Sequence, residues 1–169
     1  AGFLSSTQIA GLSAAQMAAM ETEDLARVTT DAIKGLSTSA LQALTTASDG
    51  QIAALTTRQL QQLTSTQLQA LTNESNGQIA ALTTEQIVAL TTGTNGQIAK
   101  LTTTQIQSLE DADVAVLKIG QIQSLTSSQI AALNTSQVAA LTADQTSKLS
   151  AAQVAALSPG QIAAMDSAD

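Results

Sequence analysis

The chain has no cysteine, no histidine, no tryptophan and no tyrosine, and Phe3 is its one aromatic residue. Without cysteine there are no disulfides, no thiol nucleophile and no thiolate metal site. Without histidine the usual general base is missing. Charged residues make up only 11% of the sequence, so serine, threonine, glutamine and asparagine must carry the surface. The six basic residues (Arg27, Lys34, Arg58, Lys100, Lys118 and Lys148) are scattered, and the net charge is −7. Binding to nucleic acid needs clustered lysine and arginine to displace counterions, and binding to an anionic membrane needs the same, so neither partner is expected. No stretch approaches the roughly 20 apolar residues of a membrane-spanning helix, so no membrane insertion is expected. No signal peptide is recognisable. The chain opens on alanine rather than methionine, which leads us to expect a piece of a longer protein. Lack of cysteine also suits a protein exported unfolded.

What the sequence does contain is a repeat. Large aliphatic anchors run from Leu4 through Leu12, Met20, Val28, Leu36 and Leu44 to Met165. Sixteen of the steps are eight residues and three are eleven; the long ones run from Leu44 to Leu55, Leu71 to Leu82 and Leu90 to Leu101. The consensus is L-T-x-x-Q-I-x-A, and Leu82-Thr83-Thr84-Glu85-Gln86-Ile87-Val88-Ala89 is a clean copy. The whole chain, residues 1–169, reads as a single tandem-repeat array.

One unbroken helix does not fit. An eight-residue step rotates a helix by about 80°, so the apolar stripe would wander around it and leave no seam. A strand does not fit either, because apolar spacings of five and three send successive large residues to opposite faces. A short capped helix accounts for every position. Threonine or serine at position 2 with glutamine three residues on is the capping-box pattern. Leucine at position 1 and isoleucine at position 6 then form the hydrophobic staple. Pro159, the only proline, falls at the first helical position of this register, where proline is tolerated. The fold class expected is therefore all-α: a solenoid or superhelix of very short capped helices, one per eight-residue repeat, with three repeats of eleven. Helices of about six residues are not stable alone, so stability must come from stacking.

The register predicts helices that begin just after Thr56, Thr64, Thr83, Thr102, Thr126, Ser150 and Ser158 and last under two turns. Anchors and position-6 residues such as Leu82, Ile87, Leu90, Leu125, Ile130 and Leu133 are expected in the core, with positions 3 and 4 exposed. In the long units the caps expected are Ser48, Ser75 and Thr94, each three residues before a glutamine, with the additional residues placed before the cap. Units that depart from consensus are candidate weak or bent points. They include Leu109 to Val116 and Leu117 to Ser124, without the threonine cap, Val28 to Gly35, with Ala32 for glutamine, and Leu141 to Lys148, with Thr146 for isoleucine.

No catalytic, cofactor-binding or metal residue is expected, and no cofactor. The nearest approach to a metal site is the acidic group Glu110, Asp111 and Asp113. Calcium would use such oxygen ligands, but acids at a helix start also stabilise the helix dipole. The Asp-Gly and Asn-Gly turns of the long units either form a binding ridge or simply satisfy turn geometry.

The unit L-T-x-x-Q-I-x-A resembles short repeats of very large secreted or surface proteins of Gram-negative bacteria, adhesin-like or hemagglutinin-like. The resemblance implies an extracellular or cell-surface stalk, spacer or filament segment without catalytic residues. Self-association or contact with neighbouring domains of the same protein is the partnership it implies, with no small-molecule substrate. The alternative is a protein- or glycan-binding solenoid module that uses its surface or its three longer loops. Leu82 to Ala89 is also similar to the opening helix of transcription activator-like effector repeats. Those repeats are far longer and carry basic residues, which this chain lacks, so DNA recognition is not expected.

Overall fold

The computed structural model describes residues 4–74 and 76–166. Among these residues there are eighteen α-helices and no strand. Seventeen helices have four to six residues, and the last, Pro159–Asp166, has eight. Helices begin at Thr57, Ser65, Thr84, Thr103, Ser127, Ala151 and Pro159, each one residue after a position-2 threonine or serine. The eight-residue helix exceeds the two turns expected from sequence. It runs through the half-buried anchor Met165, whereas the helices before Leu149 and Leu157, half-buried as well, stop short of the anchor.

The local chemistry at each start is the same. Thr126 Oγ1 accepts from Gln129 N at 3.2 Å, and Gln129 Oε1 accepts from Thr126 N at 2.8 Å. Ser5 with Gln8, Thr64 with Gln67 and Ser150 with Gln153 repeat the reciprocal pair. Helix ends do not use a left-handed residue; no non-glycine residue among those described has positive φ. The anchor itself leaves the helical region, as at Leu133 (φ −58°, ψ 136°) and Leu55 (φ −59°, ψ 127°). That near-polyproline conformation suits leucine, so the chain turns without a glycine in every unit.

The long units differ from expectation in an informative way. The hydroxyl of Thr45, not Ser48, accepts from Gln51 N at 2.9 Å, and Gln51 Oε1 accepts from Thr45 N at 3.1 Å. Thr72 pairs likewise with Gln78, and Thr91 with Gln97. The reciprocal pair therefore spans six residues, and the three additional residues sit inside the box rather than before it. Exposure does not separate the candidates, since Thr45, Ser48, Thr91 and Thr94 are all exposed; the threonines that close the box are those that directly follow the buried anchors Leu44, Leu71 and Leu90. Ser75, the third expected cap, lies outside the described residues. Residues 78–81 of the middle long unit form a hydrogen-bonded turn rather than a helix.

Each bulge folds back so tightly that its last glycine has no room for a side chain. A Cβ on Gly96 would lie 2.4 Å from Thr92 O and 2.6 Å from Thr91 O, and one on Gly50 would lie 2.8 Å from Thr45 O and Ala47 O. Gly50 and Gly96 have φ of −78° and −69°, so the requirement is space and not left-handed backbone. Gly96→Ala should destabilise the protein by about 1–3 kcal/mol through overpacking against backbone. The same substitution in a variant lacking residues 92–94 should be close to neutral, because that deletion leaves an ordinary octad. Thermal unfolding followed by circular dichroism measures both.

The chain forms two compact units, Ala1–Ala89 and Leu90–Asp169. In each, a helix packs on the helix three repeats away. In the first unit Ser6–Ala10 packs on Thr30–Ile33, which packs on Thr57–Gln61, which packs on Thr84–Ala89. In the second, Thr103–Gln107 packs on Ser127–Ala132, which packs on Ala151–Ala155. Position-6 residues are sealed: Ile9, Leu25, Leu41, Ile87, Ile130 and Val138 are all fully buried. The anchors Leu82, Leu90, Leu125 and Leu133 are buried beside them, while Thr84, Glu85 and Ser128 are exposed.

Candidate functional site

The feature that distinguishes this molecule is inside it. The glutamine at position 5 is buried in unit after unit, from Gln51 to Gln161, although glutamine is ordinarily a surface residue. Its oxygen closes the local box, and its amide nitrogen faces the other way. Gln129 Nε2 donates to Ile98 O at 2.9 Å and to Leu101 O at 2.8 Å. Gln137 Nε2 donates to Ile106 O and Leu109 O at 2.9 and 2.8 Å. In the first unit Gln59 Nε2 donates to Leu25 O and Val28 O, both at 2.8 Å. The main acceptors are the position-6 residue four repeats earlier and the anchor that follows it, joined in some units by the residue between them, as Ala115 O is for Gln145. With helices packed three repeats apart and amides reaching four back, one turn of the coil holds between three and four repeats.

This solves a problem that short helices create. A helix leaves its last carbonyls without intrahelical partners, and a chain made of five-residue helices has little else. Buried carbonyls left unpaired are costly. Buried glutamines such as Gln129, Gln137 and Gln153 each supply donors to two such carbonyls, and no buried side-chain nitrogen or oxygen among the described residues lacks a partner. The sequence reading found the glutamine as a cap but missed its second role. The signal was available: a capping box accepts glutamate as readily as glutamine, yet no glutamate occupies position 5. Only the amide can both accept and donate.

The outer surface is chemically quiet. Exposed ion pairs, Arg27 with Glu23 at 3.6 Å and with Asp24 at 3.4 Å, and Lys34 with Asp31 at 3.9 Å, contribute little. The acidic group does not come together: Glu110 and Asp111 are exposed, whereas Asp113 is buried at position 5. Among the described residues no three acidic side chains are placed to hold one ion. Lys118 keeps half of the box without a hydroxyl, its N donating to Gln121 Oε1 at 3.0 Å. Beside the third long turn lies a depression of about 400 Å³ lined by Gly93, Thr94, Ala99, Gly120, Gln123 and Ser124. Gly93 N donates to Ser124 Oγ at 2.8 Å across its floor.

The repeat and its stacking define a class: this is an all-α tandem-repeat region. A family model described as the ALTTAQ repeat matches residues 17–48 and 109–151, less than half of the chain. The letters of that description fall on position 8 followed by positions 1 to 5, as in Ala81-Leu82-Thr83-Thr84-Glu85-Gln86. No curated protein and no solved structure matches the chain. No helix among the described residues is long and apolar enough to cross a membrane.

Proposed function

We propose that this chain is a structural, non-catalytic repeat segment, a stalk, spacer or filament part of an exported bacterial surface protein. The observation that carries the reading is the buried glutamine column. The most specific polar chemistry in the molecule is spent on joining one turn to the next, and the outer positions carry small hydroxyl and amide side chains without a recurring charged pattern. Export and the bacterial surface draw on the absence of cysteine and on the resemblance to adhesin-like repeats. A second reading, a protein- or glycan-binding module, draws on the depression beside the Gly93 turn.

A spacer tolerates changes of length by whole repeats. Deleting residues 125–140 removes two complete octads and joins Ser124 to Leu141 in phase. Helix content per residue should stay the same by circular dichroism, and labels attached at Thr103 and Ala152 should move closer together. Loss of cooperative unfolding in this variant would contradict the spacer reading. Under the binder reading, a glycan-array signal would appear and would vanish on deletion of residues 92–94.

A further inference from the structure

Two of the four asparagines open an Asn-x-Ser triplet with a residue other than proline between, Asn73-Glu74-Ser75 and Asn134-Thr135-Ser136. That triplet is the acceptor pattern for a sugar attached to the asparagine amide. The serine of the first lies outside the described residues, and the second is described in full. Asn134 is also the one asparagine at position 2, where most units carry threonine or serine. Its Oδ1 accepts from Gln137 N at 2.8 Å, which closes the box. A cap must accept, so Oδ1 is committed to the helix and Nδ2 is the free end of the amide. Nδ2 makes no hydrogen bond among the described residues. Asn134, Thr135 and Ser136 are all exposed. That exposure is lateral: helix Thr135–Ala139 packs on Asp111–Val116 of the turn before and on Pro159–Asp166 of the turn after. Thr56, at the same position and likewise between two turns, is exposed too.

We propose that Asn134 is a site of N-linked glycosylation, taking a sugar activated at its anomeric carbon as a pyrophosphate ester. A bond forms from Nδ2 to the anomeric carbon as the bond from that carbon to the phosphate oxygen breaks. The pyrophosphate leaves with the electron pair, and one Nδ2 proton passes to a base of the transferase. Oδ1 keeps its lone pairs in the product, so the sugar and the cap coexist. A threonine at this position offers one hydroxyl, already spent on the cap. The sugar adds polar bulk to a surface that carries few charges. The inference rests on the export part of the proposed function, since such acceptors belong to secreted chains.

Trypsin cuts after Lys118 and Lys148, and the peptide between, 119–148, holds Asn134 as its only asparagine. Mass spectrometry of that peptide, taken from protein isolated from the cells that make it, should find sugar on Asn134. A single hexose marks a nucleotide-activated donor and a preassembled block of sugars a lipid-carried one, and either supports the proposal. Ser136→Ala keeps Asn134 and its cap and should lose the sugar. Asn134→Thr restores the commonest cap and should lose it as well. Thermal unfolding of both variants should match that of the parent chain lacking sugar, so the loss reads the acceptor and not the fold. The proposal is overturned by a bare Asn134, by sugar that persists in Ser136→Ala, or by sugar found on serine or threonine instead. Protease treatment of intact cells reads export separately. A chain that is cut on intact cells yet bare at Asn134 sinks the glycosylation and leaves the export reading standing.

Discussion

Gln137→Leu should lower the stability of the second unit by about 3–6 kcal/mol, while Gln8→Leu should cost no more than about 1 kcal/mol in the first. The two glutamines occupy the same position and accept from their own cap nitrogens in the same way, Gln137 from Asn134 and Gln8 from Ser5. They differ in what the amide nitrogen does. That of Gln137 holds the carbonyls of Ile106 and Leu109, which a leucine would leave buried without a donor. Gln8 is exposed, so water replaces whatever is lost. Circular dichroism in urea is the appropriate measurement, because the chain has no tryptophan or tyrosine to report by fluorescence. Equal losses from the two substitutions would mean that the local cap, and not the tie between turns, holds the array.

Ile130→Ala should cost about 2–5 kcal/mol, the range for a large aliphatic truncated in a sealed site. Ile130 is fully buried, and repeats three and four further on lie against it. Ser128→Ala, two residues away and exposed, should stay within about 0.5 kcal/mol. The contrast tests the register directly: shifting the frame by two residues would exchange the two outcomes. The loss at Ile130 should also spread less than in an ordinary domain, because each repeat contacts mainly its stacked neighbours.

The parts of this structure that were legible in the sequence are those settled within eight residues. Thr126, Gln129, Leu125 and Ile130 announce a capped, stapled helix because every partner is local. The position of Pro159 at the start of its helix follows from the same frame. What connects Gln129 to Ile98 and Leu101 is separated by about three and a half repeats, and nothing in one octad names that partner. Only the prevalence of glutamine at position 5, with no glutamate there and aspartate just at Asp24 and Asp113, hinted at it. The long units misled for a different reason. Ser48 and Thr45 both precede Gln51 and both could cap it, and local spacing favours the nearer one. The choice of Thr45 depends on its neighbour Leu44 being buried, a tertiary fact. The acidic group around Asp111 was ambiguous in sequence because adjacency along the chain says nothing of inward and outward faces, and the structure separates Asp113 from the other two.

The backward reach of the glutamines also imposes an order in time. A chain that emerges amino end first, from a ribosome or through a secretion pore, delivers carbonyl acceptors before the amides that need them. When Gln137 arrives, Ile106 and Leu109 are already in place, and the new repeat can dock at once. Emergence in the opposite sense would present each amide to an empty seat until four more repeats followed. The array is thus suited to growing by accretion at its trailing edge, with little more than a turn of unfolded chain waiting at any moment.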